Sequence, residues 1–258
     1  MIFILNLLIM DLIDLTYTKE EIFTFLTTFN IEEINKNDGG MKLPDMFSFY
    51  FLLKKLQPEV VIESGVWHGQ STKLIRETLG NVKIISLDPY PIEGYIDENA
   101  TYYVGDKFKD FKDLDLSSFD MNKVLCFFDD HQNSAQRLIQ CIDKNVKHIF
   151  FNDNYPINLG SHYTIQHLLY NDTRNVFDIE NQYSCSINTF PQIDLSKRDE
   201  LIKRINRCVI FPNIISTKIY FPDSVHECEG FLNKEDSKVF NLFNHYFNTY
   251  NWNTYILL

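Results

Sequence analysis

The spacing of apolar positions changes period along this chain. Behind the Thr-x-x-Glu start at Thr18, the stretch TKEEIFTFLTTF carries apolar side chains at helical spacing, which predicts a capped amphipathic helix. A loop at NKNDGGM follows. Pro44-Asp45 then opens a second helix through MFSFYFLLKKL, and Pro58 closes it. From there short apolar runs alternate with helical patterns. EVVIES, VKIISLD, TYYVG, KVLCFFD and KHIFFND read as strands, with helices at QSTKLIRETLG and SAQRLIQCIDK. Strands that are apolar on both faces and separated by helices predict an α/β fold with a parallel sheet covered on both sides. Residues 155–215 are less regular, punctuated by Gly160, Pro191 and Pro212. The tail offers a strand at TKIYF, a helix at KEDSKVFNLFNHYF and a terminal strand at WNTYILL.

Composition narrows the class. A chain of 258 residues with 45% apolar and 23% charged residues is long enough for one large α/β domain and ordinary for a soluble globular protein. A net charge of −11 argues against sequence-independent nucleic-acid binding, which needs a basic surface to displace counterions. The most basic stretch, SKRDELIKRINR, carries Asp199 and Glu200 at helical spacing and reads as a solvated helix face. Five cysteines, Cys126, Cys141, Cys185, Cys208 and Cys228, lack zinc-ligand spacing and fit free thiols in a reducing compartment. The opening MIFILNLLIM is similar to a signal h-region but has no basic flank or small-residue cleavage site, and is too short to span a bilayer. It is expected to dock on the domain, or translation begins at Met10. A soluble, cytoplasmic protein with no membrane partner is expected.

The turn in VVIESGVWHGQST holds the first chemistry. A P-loop needs four residues between its glycines and then Lys-Ser/Thr; Gly65 and Gly69 enclose three, and Gln70-Ser71 follows. A dinucleotide turn needs a glycine where Trp67 stands, and Glu63 would lie near two phosphate charges. S-adenosylmethionine removes both objections, because it has no phosphate and its sulfonium and ammonium groups favour a carboxylate such as Glu63. Asp88 ends the second strand, where an acid accepts ribose hydroxyls. Asp106 ends the third, within reach of an adenine amino group.

On these residues the sequence resembles the class I S-adenosylmethionine-dependent methyltransferases. Within them it is similar to the metal-dependent small-molecule branch: catechol O-methyltransferase, macrocin- and mycinamicin-type sugar O-methyltransferases, and cephalosporin-hydroxylase-like proteins. The resemblance covers residues 44–156. It implies a Rossmann-like, mostly parallel seven-stranded sheet with an antiparallel C-terminal strand and helices on both faces. It also implies that Gly65 and Gly69 shape the turn, that Ser71 or Thr72 holds the methionine carboxylate, and that Asp88 holds the ribose. The expected organisation is an N-terminal helical cap over 1–57 and a methyltransferase domain over 58–258, with an acceptor-binding insertion at about 155–215.

CFFDDHQ and FFNDNYP are the second constellation. Both close predicted adjacent strands, so Asp129, Asp130, His131, Asp153 and Asn154 should converge beside the cofactor. Clustered carboxylates repel, and a divalent cation keeps them ionised together; oxygen ligation with an amide suits magnesium, manganese or calcium rather than zinc. The bland alternative is that Asp130 and Asp153 only cap the segments that follow. The resemblance implies that the ligands are Asp129, Asp153 and Asn154. Catechol-type enzymes place a lysine where Gln132 stands, so His131 is the expected base, with Asp130 or Asp129 as substitutes. His68 is expected to pack or touch substrate, and His162 and His167 to border the acceptor pocket. The function so implied is metal-assisted (magnesium or manganese) O-methylation of a sugar, glycan or other small polyhydroxylated acceptor. A catechol-type acceptor, a non-catalytic cofactor-binding protein and an NAD-dependent enzyme are the rivals. Homo-oligomer formation stays open.

Overall fold

The computed structural model describes residues 14–30, 40–156, 160–170, 198–215, 217–221, 224–228, 230–232 and 251–258. The opening segment, Cys185 and the expected helix at KEDSKVFNLFNHYF lie outside them.

Helix α1 (Lys19–Thr28) begins as its sequence dictates: the Thr18 hydroxyl accepts from the Glu21 backbone N–H while the Glu21 carboxylate accepts from that of Thr18. Helix α2 (Leu43–Leu56) carries Pro44 in its first turn and stops at Gln57, whose φ of 46° is left-handed, ahead of Pro58. There follow β1 (Val60–Ser64), α3 (Gln70–Leu79), β2 (Lys83–Asp88), β3 (Thr101–Val104), β4 (Val124–Phe128), α4 (Ser134–Asp143), β5 (His148–Phe151), α5 (Ile165–Leu169), α6 (Arg198–Arg204) and β6 (Arg207–Ile210). The remaining strands are β7 (Asn213–Ile215), β8 (Thr217–Phe221), β9 (Ser224–Cys228), β10 (Gly230–Leu232) and β11 (Thr254–Leu257).

Seven strands form one sheet in the order β3-β2-β1-β4-β5-β11-β6. All are parallel except β11, which runs antiparallel between β5 and β6, placing Tyr255 opposite Phe150 on one side and Val209 on the other. This is the expected Rossmann-like, mostly parallel seven-stranded sheet with an antiparallel C-terminal strand. Four strands were not expected, β6, β7, β9 and β10, of which β7 and β10 pair in parallel with each other, while TKIYF does form a strand. The tail segment TKIYF pairs with β9 in a separate hairpin, and the sheet's outer strand is RCVI, inside the stretch read as irregular.

Alternate residues of each strand feed two cores, because successive side chains point to opposite faces. Val61, Ile84, Leu125, Phe127, Phe150 and Tyr255 meet α1, α2 and α3 on one face. Ile62, Ile85, Cys126, Phe128, Ile149 and Ile256 meet α4, α5 and α6 on the other. The expected helical cap is part of the first layer: Phe49 of α2 stacks on Phe127 and Phe150, with ring centroids 4.3 and 5.0 Å apart. Asn251 joins that layer to the tail by donating to the Ser48 hydroxyl and the Pro212 carbonyl.

Candidate active site

The strand order reverses between β1 and β4, and at such a switch point the loops leaving the strand ends part to form a crevice. The turn after β1 is built for close approach. Gly65 (φ 93°) lies so near the next loop that a Cβ would stand 2.3 Å from the Asp129 carbonyl oxygen. A Cβ on Gly69 (φ 75°) would stand 2.1 Å from the Tyr95 carbonyl. Trp67 between them has a positive φ of 51°, as do His131 (53°) and Asp153 (50°) at the ends of β4 and β5. Left-handed backbone is costly for side chains of this kind, and here it concentrates at the crevice.

Glu63 does not face the crevice as expected. It is fully buried beneath the turn and accepts from the hydroxyls of Ser71, Thr72 (2.6 Å) and Ser86 (2.7 Å). Burial pushes its carboxyl up against the three donors that favour the charged form. Ser71 and Thr72, expected to hold a methionine carboxylate, are thereby turned to Glu63 and tie α3 to β1. Asp88 closes the turn from the other side: one oxygen accepts from the backbone N–H groups of Val66 (2.9 Å) and Trp67 (3.1 Å), the other from Tyr90 (2.8 Å). Asp106 is exposed on a short 3-10 turn after β3. Large apolar side chains stand exposed around this half of the crevice: Trp67 at 56%, Tyr90 at 70%, Ile96 at 58% and Phe108 at 39%.

The second constellation converges in part. Asp129, His131 and Asp153 place potential ligand atoms within 4.8 Å of one another. His131 Nε2 and Asp153 Oδ2 are 2.9 Å apart. That bond raises the His131 imidazole to about 9, although its side chain is 54% exposed. Burial works to raise Asp153, but the bond to His131 and the imidazolium charge hold it low. Asp129 is pushed up to about 7, by burial first and then by the charge of Asp153. These groups suit a divalent cation, which would relieve the repulsion between Asp129 and Asp153.

Two expected members lie elsewhere. Asn154 is fully buried; its amide nitrogen donates to the Thr254 hydroxyl and its oxygen accepts from Gln166 N–H. It anchors β11 and α5 instead of joining the carboxylates. Asp130 accepts from the Ser64 hydroxyl (2.7 Å) and from Arg137 (2.9 and 2.7 Å), and the buried Arg137 also holds both oxygens of Asp110. A carboxylate so committed fixes the loop that carries Asp129 and His131.

His162 does border the cluster: it is buried, and its ring stacks on His131 at 5.6 Å. His167 instead completes a capping box with Thr164 at the start of α5. The backbone of His68 accepts from Tyr95 N–H, and its ring packs on Trp67. Three contributors were missed in the sequence. Arg137 had a signal, a cation on the stripe 134, 137, 138, 141 that is otherwise small or apolar. Asn152, whose amide nitrogen donates to Asp129 Oδ1 (2.8 Å), had none. The third is Asp45, buried at the start of α2, where burial and the charge of Asp153 raise its carboxyl well above the usual range. Cavities of about 200 and 270 Å³ lie away from this cluster, one beside Lys203 and Leu258 and the other under Tyr103 and Phe119.

No family model and no curated protein matches the chain. Similar solved structures include two of CmcI. One, with SAH, is 20% identical over 44% of this chain (TM-score 0.38). The other, with Mg-SAM, is 18% identical over 63% (TM-score 0.39). The chain spans 62% and 61% of those two chains. An O-methyltransferase from Bacillus cereus in complex with SAH is 10% identical, with 94% of this chain and 92% of that chain covered (TM-score 0.43). No helix among the described residues is long and apolar enough to cross a membrane.

Proposed function

We propose that the protein is an S-adenosylmethionine-dependent O-methyltransferase that uses a divalent cation to methylate a hydroxyl of a sugar, glycan or other small polyhydroxylated acceptor. One observation carries this reading. The glycine turn and the cluster of Asp129, His131 and Asp153 share a wall, because Gly65 abuts the Asp129 backbone at the switch point of the sheet. A methyl donor above the turn and an oxygen acceptor above the cluster would then be neighbours, and transfer needs mainly positioning.

The cofactor supplies an activated methyl group on a sulfonium that leaves readily. The turn fits it: Trp67 stands where a pyrophosphate would need glycine, and Trp67, Tyr90, Ile96 and Phe108 offer apolar cover. Asp88 holds the turn in shape through two backbone N–H groups. The cation, held by Asp129 and Asp153, would polarise the acceptor hydroxyl and lower its pKa. Arg137 and Ser64 hold Asp130, so that residue steadies the loop. His131 stands at the open side of the cluster, where it can meet a proton or the cation. The polyhydroxylated acceptor is favoured over a catechol because Gln132 occupies the place of the catechol-type lysine.

Calorimetric titration of metal-stripped protein with S-adenosylhomocysteine, with and without manganese or magnesium, tests the reading. The expected result is cofactor binding plus a separate cation isotherm, weakened about 100-fold or more by Asp153→Ala. Cofactor binding without a cation isotherm would remove the metal-assisted mechanism. Binding of NAD in place of S-adenosylhomocysteine would overturn the reading altogether.

A further inference from the structure

The cation reading leaves open which side chains complete the donor set, and the arrangement around Asp129 differs from an all-oxygen site. Asn154 is spent on Thr254 and Gln166. The amide that does reach the cluster is that of Asn152, two residues earlier on the same strand end. Asn152 is 6% exposed, its nitrogen meets Asp129 Oδ1, and its buried Oδ1 has no hydrogen-bond partner among the described residues. A buried amide oxygen without a partner is costly, and more than nine in ten such groups are satisfied. Turning the amide over would bring that oxygen to where the nitrogen now meets Asp129, next to any cation held there. On the other side of the cluster, at its open face, His131 directs Nε2 at Asp153 Oδ2.

Resting on the cation reading above, we propose that the donor set is Asp129, Asp153, the amide oxygen of Asn152 and the imidazole of His131, and that it takes a first-row transition-metal dication of the manganese or iron type in preference to magnesium. Imidazole is a good donor to iron and a better one to manganese than to magnesium, which demands near-ideal octahedral oxygen ligation and keeps its waters. His131 is then a ligand, and its ring fixes both the identity of the ion and the position of Asp153. His162, stacked behind His131, limits how that ring can turn.

The test is manganese binding to the metal-stripped full chain, followed by titration and by pulsed electron paramagnetic resonance. Wild type is compared with His131→Asn, Asn152→Ala and Asp153→Asn, each checked for folding by its melting transition. The expected result is bound manganese with nitrogen-14 coupling from an imidazole, displaced by magnesium only at roughly tenfold or greater excess. His131→Asn should abolish the coupling and weaken manganese binding at least about tenfold, and Asn152→Ala should weaken it with the coupling kept. If His131→Asn does not fold, nitrogen-15 histidine labelling of the unmutated chain reads the same bond. Manganese binding that is lost in Asp153→Asn but shows no nitrogen coupling would overturn this inference and leave the carboxylate site standing. Coupling that persists in folded His131→Asn would also overturn it. Absence of manganese binding by folded wild type would overturn the cation reading with it.

Discussion

His162 carries a pH signature of its own. Burial, aided by the charge of His131, pushes its imidazole down to about 3. In the unfolded chain the same group titrates near 6.5, so below that pH the unfolded state binds a proton that the folded state refuses. Its stabilising contribution is therefore present above about 6.5 and is lost as pH falls toward 3, with a slope of up to about 1.4 kcal/mol per unit. His162→Gln should flatten that part of the profile, read as urea midpoints between about pH 6 and about pH 4. An unchanged profile would mean that His162 is not a buried neutral group. At this scale the sequence was legible wherever a polar residue ends an apolar strand, which is why Asp129, His131 and Asp153 stand out. It was illegible where the backbone turns. The backbone turns left-handed at Asp153, with Asn152 before it meeting Asp129 and Asn154 after it meeting Thr254, and nothing in FFNDNYP reports that turn. The partners that hold Asp130, namely Ser64 and Arg137, lie on other elements, so a strand-end motif alone suggests a freedom Asp130 does not have.

Among the elements, α4 joins the two halves of the crevice. Its Arg137 is buried and reaches Asp130 after β4 and Asp110 after β3. Removing one partner of a buried ion network leaves the others uncompensated. Arg137→Met is expected to cost about 3 kcal/mol in chemical denaturation, and adding Asp110→Asn should recover part of it. Full additivity of the two substitutions would show that the contacts do no joint work. Helices α1 to α4 and the first five strands were legible because their periods are clean, whereas the short α5 lies in the stretch read as irregular. The strand β6 was not legible. RCVI is short, and its partner is drawn from a segment more than forty residues on, Ile210 lying opposite Thr254. TKIYF is the better strand by propensity, yet it pairs locally with β9, which is tertiary context overriding local preference.

For the molecule as a whole, a net charge of −11 and a cluster of facing carboxylates favour cation uptake, while the neighbouring rim is aromatic. The two tryptophans report on different places: Trp67 is 56% exposed on the glycine turn after β1, and Trp252 is 7% exposed in the core. Saturating S-adenosylhomocysteine should shift tryptophan emission to the blue through Trp67 and raise the melting temperature, by an amount corresponding to about 2.7 kcal/mol at 100 times Kd. Trp67→Phe should abolish the emission shift while keeping a stabilisation. A shift that survives in Trp67→Phe would place the ligand elsewhere.

The position of β11 has a consequence for how the protein is made. Its neighbours β5 and β6 leave the ribosome first, and the strand that must slide between them arrives last, about a hundred residues after β5, or roughly 5–20 s at ordinary synthesis rates. Until then the nascent chain presents two bare strand edges, the kind of surface that chaperones shield and neighbouring chains invade. Asn154 also waits for its partners Trp252 and Thr254. The loop that carries Asp153 is therefore pinned only once β11 has inserted, so much of the sheet can form before the carboxylates after β4 and β5 are held in place.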